Sequence, residues 1–315
     1  MIIAILDLGT NTFHCLIVEI KEDGTYKKLY KTKTSVKLGE GGINKNTIAP
    51  IPFKRGIVAL RMFNAMLRKY SIDKLYAYGT AALRSAKNAK DFVKAVKDDL
   101  NIDVEIISGE KEAEYIYYGV RQALDMGKER SLIIDIGGGS VEFIIANKNQ
   151  IFWKHSYNLG AARLLEQFNP SDPITPLEIK KIEQYLEKSL SLLFVAIKKF
   201  PTKILIGSSG SFDTFAEMIA HDFFTPKILQ GKTEYEFLLD LYDATHQKLI
   251  KSTHSERLHT KGIIQMRVDM IVVASIFTNF IIKKLKIRRM LLSTYALKEG
   301  VLWEAINENI KSIKK

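Results

Sequence analysis

Two short stretches of this chain place a carboxylate, glycines and small hydroxyl residues in the same order. One is Asp7-Leu8-Gly9-Thr10-Asn11-Thr12 and the other is Asp135-Ile136-Gly137-Gly138-Gly139-Ser140. Glycine lets the backbone bend tightly and lets a ligand approach it closely. Successive N–H groups exposed on such a bend form a concavity that holds phosphate oxygens. The hydroxyls of Thr10, Thr12 and Ser140 add neutral donors. Each Asp can hold a hydrated divalent cation that offsets phosphate charge. One such turn means little, because hairpins use these residues routinely. Two in the same register carry weight. The offset of 128 that takes Asp7 to Asp135 also takes Gly9 to Gly137, Thr12 to Ser140 and Ile17 to Ile145. A repeat of that length is a duplicated domain, not a solenoid.

Strands must carry both turns. Apolar Ile2 to Leu6 precedes the first and Phe13 to Ile20 follows it; Ser131 to Ile136 and Val141 to Ile145 do the same for the second. A turn signal at Lys21-Glu22-Asp23-Gly24 leads to a third strand over Tyr26 to Val36. Helical spacing marks Arg55 to Tyr70, Ala89 to Leu100 and Lys111 to Ala123, with strands at Leu75 to Gly79 and Val104 to Ile107. In the second half, Thr175 to Phe200 reads as one long amphipathic helix with Pro176 near its start. Lys203 to Ile206 is a strand, followed by Gly207-Ser208-Ser209-Gly210-Ser211 and a helix through Ile219. From there to Leu285 the reading is mostly helix, with Met270 to Ile282 a buried core helix; a strand at Met290 to Ser293 and a helix over Ala296 to Ile310 end the chain. Strands alternating with helices give an α/β architecture. Asp125-Met126-Gly127 is the expected boundary, with one domain over 1–125 and a second over 126–297.

Composition narrows the ligand. The chain has 315 residues, enough for two domains, and 47 basic against 35 acidic residues give a net charge of +12. A positive field concentrates an anionic ligand, which polyphosphate, a highly phosphorylated nucleotide and nucleic acid all are. The single cysteine, Cys15, excludes an intrachain disulfide and a cysteine-rich zinc site. The six histidines show no metal-ligand spacing. No apolar run of about 18 residues is present, so no membrane span is expected. The N-terminus lacks a basic leader region before Asp7, which makes a cytoplasmic location the expectation. The final residues, Lys311 to Lys315, are expected to fray.

Further stretches fix the resemblance. Ala81-Ala82-Leu83-Arg84-Ser85-Ala86, then Ser108-Gly109-Glu110-Lys111-Glu112-Ala113, then Asp135 to Ser140, then Leu159-Gly160-Ala161-Ala162-Arg163-Leu164 occur in this order. Together they resemble the signature set of the exopolyphosphatase / guanosine pentaphosphate phosphatase family, over nearly the whole chain. The resemblance implies two ribonuclease H-like, actin-like α/β domains with a cleft between them. The last helix, over 298–315, then packs back on the first domain. Glu112 matches the family's catalytic carboxylate, which deprotonates the attacking water; without the match, Glu110 and Glu112 read as acids favouring a helix N-terminus. Arg84 would clamp phosphate oxygens, and Asp7 and Asp135 would hold Mg2+, with Asp135 joining the water network. Gly9, Thr10, Asn11, Thr12, Gly137, Gly138, Gly139 and Ser140 would form the phosphate cradle. Arg163 is either a further phosphate contact or a residue that fixes its loop. Gly207 and Ser208 sit where actin-like relatives contact nucleotide; here they contact nucleotide, contact polyphosphate, or only turn the chain.

The implied substrate is inorganic polyphosphate or guanosine pentaphosphate, with no nucleic acid or membrane partner and with a homodimer left open. An ATP-dependent kinase of the same superfamily is a third reading, which Glu112 argues against. A non-catalytic nucleotide- or polyphosphate-binding regulator is a fourth. Two positions depart from the family: Lys37 and Lys298 stand where arginine is usual, keeping charge but losing the bidentate fork. The chain also stops soon after Leu297-Lys298-Glu299-Gly300, where longer relatives carry an extra helical domain that extends the polyphosphate path. The basic runs Lys198-Lys199 and Lys283 to Arg289 could guide a long polyanion or form solvated helix faces.

Overall fold

The computed structural model describes residues 1–208 and 210–313; Ser209 of the glycine-serine loop, and Lys314 and Lys315 of the segment expected to fray, lie outside the described residues. Strand β1 (Ile2–Leu8) pairs antiparallel with β2 (Thr12–Ile20), which pairs with β3 (Tyr26–Ser35). After α1 (Pro50–Leu67), β4 (Lys74–Gly79) joins β1 in parallel. Then come α2 (Ala81–Ser85), α3 (Ala89–Leu100), the short β5 (Glu105–Ile106) and α4 (Gly109–Ala123), giving a sheet of order β3-β2-β1-β4-β5.

The second half repeats this with β6 (Ser131–Ile136), β7 (Val141–Ala146) and β8 (Ile151–Tyr157). Helices α5 (Ala161–Phe168), α6 (Pro176–Ser189) and α7 (Ser191–Lys199) lead to β9 (Ile204–Ser208), which is parallel to β6. The chain continues through α8 (Gly210–Phe223), β10 (Glu234–Phe237), α9 (Leu239–Lys251), α10 (His254–His259), α11 (Ile271–Leu285), β11 (Arg289–Ser293) and α12 (Leu297–Ile313). The order is β10-β11-β9-β6-β7-β8, so β8-β7-β6-β9 copies β3-β2-β1-β4. The sequence repeat is thus a repeat of topology.

Period-two alternation decides what faces what. Ala4, Leu6 and Leu8 pack on the outer side of the first sheet with Leu60, Phe63 and Phe92 of α1 and α3. Leu132, Ile134 and Ile136 pack on the outer side of the second with Phe212, Phe215 and Phe277. The opposite parity, Ile3, Ile5, Leu16 and Val18 of one sheet and Ile133, Ile144 and Ile206 of the other, shares a single core with Ala113, Ile116 and Val120 of α4 and Val301, Leu302 and Ala305 of α12. Helices α4 and α12 therefore lie between the sheets. The same parity carries Asp7, His14, Asp135 and Glu142 into that middle layer.

Several elements differ from the sequence expectation. The helix read from Arg55 begins at Pro50, with proline in the first turn, where its missing N–H costs nothing. The single helix read over Thr175 to Phe200 is two, because the backbone leaves helical geometry at the fully buried Leu190. Strands β8 and β10 and the short α2 were not legible. β10 is an edge strand whose exposed glutamates break the apolar pattern.

Helices α4 and α12 touch backbone to backbone. A Cβ on Gly300 would lie 1.8 Å from the Tyr115 carbonyl oxygen, and one on Gly119 would lie 2.1 Å from that of Ala296. Backbone cannot yield as a side-chain tip can. Gly300→Ala should therefore lower unfolding stability by roughly 1–3 kcal/mol or more; urea denaturation would check it, and an unchanged midpoint would show that the helices separate freely.

Candidate active site

The two turns are the same structure. Gly9 N–H donates to Thr12 O at 3.2 Å, and Gly137 N–H donates to Ser140 O at 3.0 Å. They meet across the middle layer with no room for another atom. A Cβ on Gly138 would stand 2.1 Å from Asn11 Nδ2, and one on Gly139 would stand 2.5 Å from Thr10 Oγ1. Only glycine allows this approach. Thr10 Oγ1 is buried without a hydrogen-bond partner, a donor positioned for a ligand. Beside the turns lies a cleft of about 140 Å³ whose walls include Asp7, Gly9 to Thr12, Glu112, Asp135, Gly137 to Ser140, Glu142 and Lys298.

Each carboxylate has its own support. Asp7 ends β1 and Asp135 ends β6, on the parity that faces the middle layer. Ser208 donates to Asp135 Oδ2 at 3.2 Å and to Tyr295 O at 3.2 Å. Ser108 caps α4 by accepting from Lys111 N, and this sets Glu112 in the first turn. Arg84 Nη1 donates to Glu112 Oε2 at 2.8 Å and to Ile107 O at 3.1 Å, while its Nη2 is buried without a partner. Glu142 is buried in β7 directly opposite Asp135 and accepts from Ser156 Oγ at 2.7 Å.

Crowded, desolvated acids resist ionisation. Burial, followed by the charges of Glu112 and Asp135, pushes Asp7 up to about 7 even though Lys298 pulls the other way. Burial likewise raises Glu112 to about 7 against the opposing pull of Arg84. Glu142 is held well above the usual carboxylate range by burial and then by Glu112 and Asp135. His14, facing Asp7 from β2, is kept neutral by burial and by Lys298, Arg267 and nearby lysines.

This donor set fits a divalent cation. Its oxygens are hard and its charge is under-compensated, although among the described residues no group of three or more His, Cys, Asp or Glu side chains is placed to hold a metal ion by itself. Mg2+ takes one or two carboxylates and keeps its waters, so an open site suits it.

Other expected residues lie elsewhere. Arg163 is buried outside the cleft, donating to Gly139 O at 2.8 Å, Ile43 O at 2.6 Å and Ser85 Oγ at 2.8 Å. It ties the second turn to the first half of the chain. Gly207 is packed against Phe212, and Ser208 serves Asp135; neither lines the cleft, although Gly210 does. Cleft residues that the sequence reading did not assign to the site include Glu142, His14, Lys33, Asp213 and Arg267, and Lys298 was noted only as a departure from the family. The repeat held the signal for two of them, because His14 and Glu142 stand opposite the two aspartates at the same 128 offset.

The two α/β halves, each opening on the same strand-turn-strand unit, have the two-domain actin-like fold. The model of the Ppx/GppA phosphatase family matches residues 16–309, and the chain belongs to that family. A Haemophilus influenzae protein named as a candidate exopolyphosphatase is 30% identical over 96% of this chain and 90% of its own length. A solved exopolyphosphatase from Cytophaga hutchinsonii is 38% identical, covers 98% of both chains and superposes with a TM-score of 0.93. An Aquifex aeolicus member of the Ppx/GppA family shares the fold at a TM-score of 0.79 with 24% identity, over 98% of this chain and 99% of that one.

The raised carboxylates set a pH dependence. Unfolded carboxylates release protons near pH 4, whereas Asp7 and Glu112 hold theirs to about pH 7. The folded chain binds more protons in that window, so stability falls as pH rises from about 4 to about 7, by a few kcal/mol in all. Calorimetry with and without MgCl2 would check this. Added Mg2+ should raise Tm more at pH 8 than at pH 5, and an equal or absent effect would count against a cation among these carboxylates.

Proposed function

We propose that this protein is an exopolyphosphatase, releasing orthophosphate from the end of inorganic polyphosphate by attack of water. The observation that carries this reading is Glu112, a buried carboxylate on the wall of a cleft formed by two phosphate-type turns. Kinases need an acceptor hydroxyl here; a carboxylate with a raised pKa is suited to take a proton from water near neutral pH.

The terminal phosphate rests on the N–H groups of the two turns and the hydroxyls of Thr10, Thr12 and Ser140. Glu112 takes the proton as the water oxygen bonds to phosphorus. The anhydride P–O bond breaks, and the shortened chain leaves with the bonding electrons. Lys298, on the wall of the cleft, opposes the charge that builds on the transferring group, and Arg84, which does not line the cleft, acts through its ion pair with Glu112. Asp7 and Asp135 would hold Mg2+, which when bound neutralises phosphate oxygens. Closure of the halves, tied by Arg163, limits other water.

Guanosine pentaphosphate is the second reading. A cavity of about 480 Å³ adjoins the cleft, shares Lys33, Gly210, Asp213 and Arg267 with it, and adds Tyr235, Ile263 and Leu292 as apolar walls suited to a nucleoside.

Mg2+-dependent phosphate release from both substrates, measured side by side, separates these readings. Glu112→Gln should lower kcat by roughly 10²–10⁴-fold with binding retained. Turnover of the nucleotide alone would favour the second reading. Tight binding with no turnover of either substrate would make the protein a regulator.

A further inference from the structure

Strand β3 carries lysines at 27, 28, 31 and 33 on the edge of the first sheet. Exposed edges are commonly blunted with lysine to prevent pairing with other chains. The register divides these four. Lys33 pairs with His14, Lys31 with Leu16 and Lys28 with Val18, and a bulge between Ile17 and Val18 keeps them in step. His14, Leu16 and Val18 alternate along β2 and face the middle layer, so Lys33, Lys31 and Lys28 share that face. Lys27 pairs with Glu19 and faces the other way.

This one-sided ladder starts at the reaction site. Lys33 lines both the catalytic cleft and the adjoining cavity, together with Arg267. At about 3.3 Å per residue, the run from Lys33 out to Lys28 spans roughly 15 Å. Its charge is poorly matched. Lys31 Nζ lies 3.9 Å from Glu299 Oε1, but Glu299 already holds Lys298 at 3.2 Å and accepts from Ala296 N. Lys33 and Lys28 have no carboxylate within bridging distance among the described residues. Burial and then neighbouring cations hold the Lys31 and Lys33 amines below their usual range, which an anion would relieve. In the basic run Lys283 to Arg289, Lys284 pairs with Glu187 at 2.6 Å and Arg289 pairs with Glu236 at 2.8 Å; Lys198, Lys199, Lys283, Lys286 and Arg288 have no such pair among the described residues, but none of them lines the cleft.

We infer that Lys33, Lys31 and Lys28 form a track for the part of a linear polyanion that trails out of the cleft while its end is hydrolysed. The track rests on the polyphosphate reading and extends it from the terminal unit to the units behind it. A short substrate ends at Lys33, before Lys31; a long one lies along all three lysines.

The test uses the full chain as wild type, as Lys28→Gln/Lys31→Gln, and as Lys27→Gln, which removes one charge from the opposite face. Affinity and KM are measured for long-chain polyphosphate and for tripolyphosphate at several salt concentrations. The double variant should bind the long chain roughly ten-fold more weakly, with a salt slope shallower by roughly 1.4, about 0.7 for each lost contact. Its KM for tripolyphosphate should move less than two-fold, and Lys27→Gln should behave as wild type. Equal losses on both substrates, no loss on the long chain, or the same loss in Lys27→Gln would each overturn the track while leaving the hydrolase reading intact. Wild type that neither binds nor hydrolyses polyphosphate would overturn that reading and the track together.

Discussion

Asp7, Glu112, Asp135 and Glu142 crowd into one small cleft, out of bulk water and within reach of one another's fields. Burying like charges without full compensation is among the costliest arrangements a chain can adopt. Much of the surrounding architecture offsets that cost without removing it. Lys298 is carried in by the last helix, Arg84 clamps Glu112, and serines donate to Asp135 and Glu142. The remaining demand for positive charge defines what can bind. On the proposed reading, phosphate arriving with a divalent cation would meet that demand.

The convergence depends on strand parity. β1 and β6 each place alternate apolar residues in the shared core, and their aspartates follow the same parity. Because α4 and α12 fill that layer, their N-terminal turns deliver Glu112 and Lys298 to the place where the strands end. Backbone contact at Gly119 and Gly300 keeps this geometry tight. The packing that joins the halves therefore also assembles the site.

The sequence exposed what is local or repeated. Each turn announces itself through glycines and an acid, and the duplication shows in the 128 offset; Glu112 stands out only through the family resemblance, because its place at a helix start by itself reads as an acid favouring the N-terminus. What it concealed depends on pairing across distance. Nothing near Lys298 shows that its amine ends beside Asp7, and Arg163 looks like any phosphate-binding arginine until its donors are traced to Ile43, Ser85 and Gly139. Glu142 was legible in principle, since period two puts it opposite Asp135, but a lone acid within an apolar strand reads as a break in the pattern.

Duplication made two equal frames, and their third strands have diverged in chemistry. Opposite His14, β3 offers Lys33; opposite Glu142, at the same place in the copy, β8 offers Ser156, whose hydroxyl is spent on that glutamate. Opposite Leu16 stands Lys31, exposed beside an already occupied Glu299; opposite Ile144 stands Lys154, which is bound to Glu114. The second copy thus keeps its polar groups for the carboxylates, while the first leaves its cations open to solvent. His14, held neutral, carries no charge where the second copy has the acid Glu142. An anionic substrate entering such a cleft meets opposite fields at its two ends. On the proposed reading its reacting phosphate would lie among the acids, and the rest of the molecule would be drawn toward the lysine edge. That polarity needs no further domain; it follows from different residues at equivalent positions of the same fold.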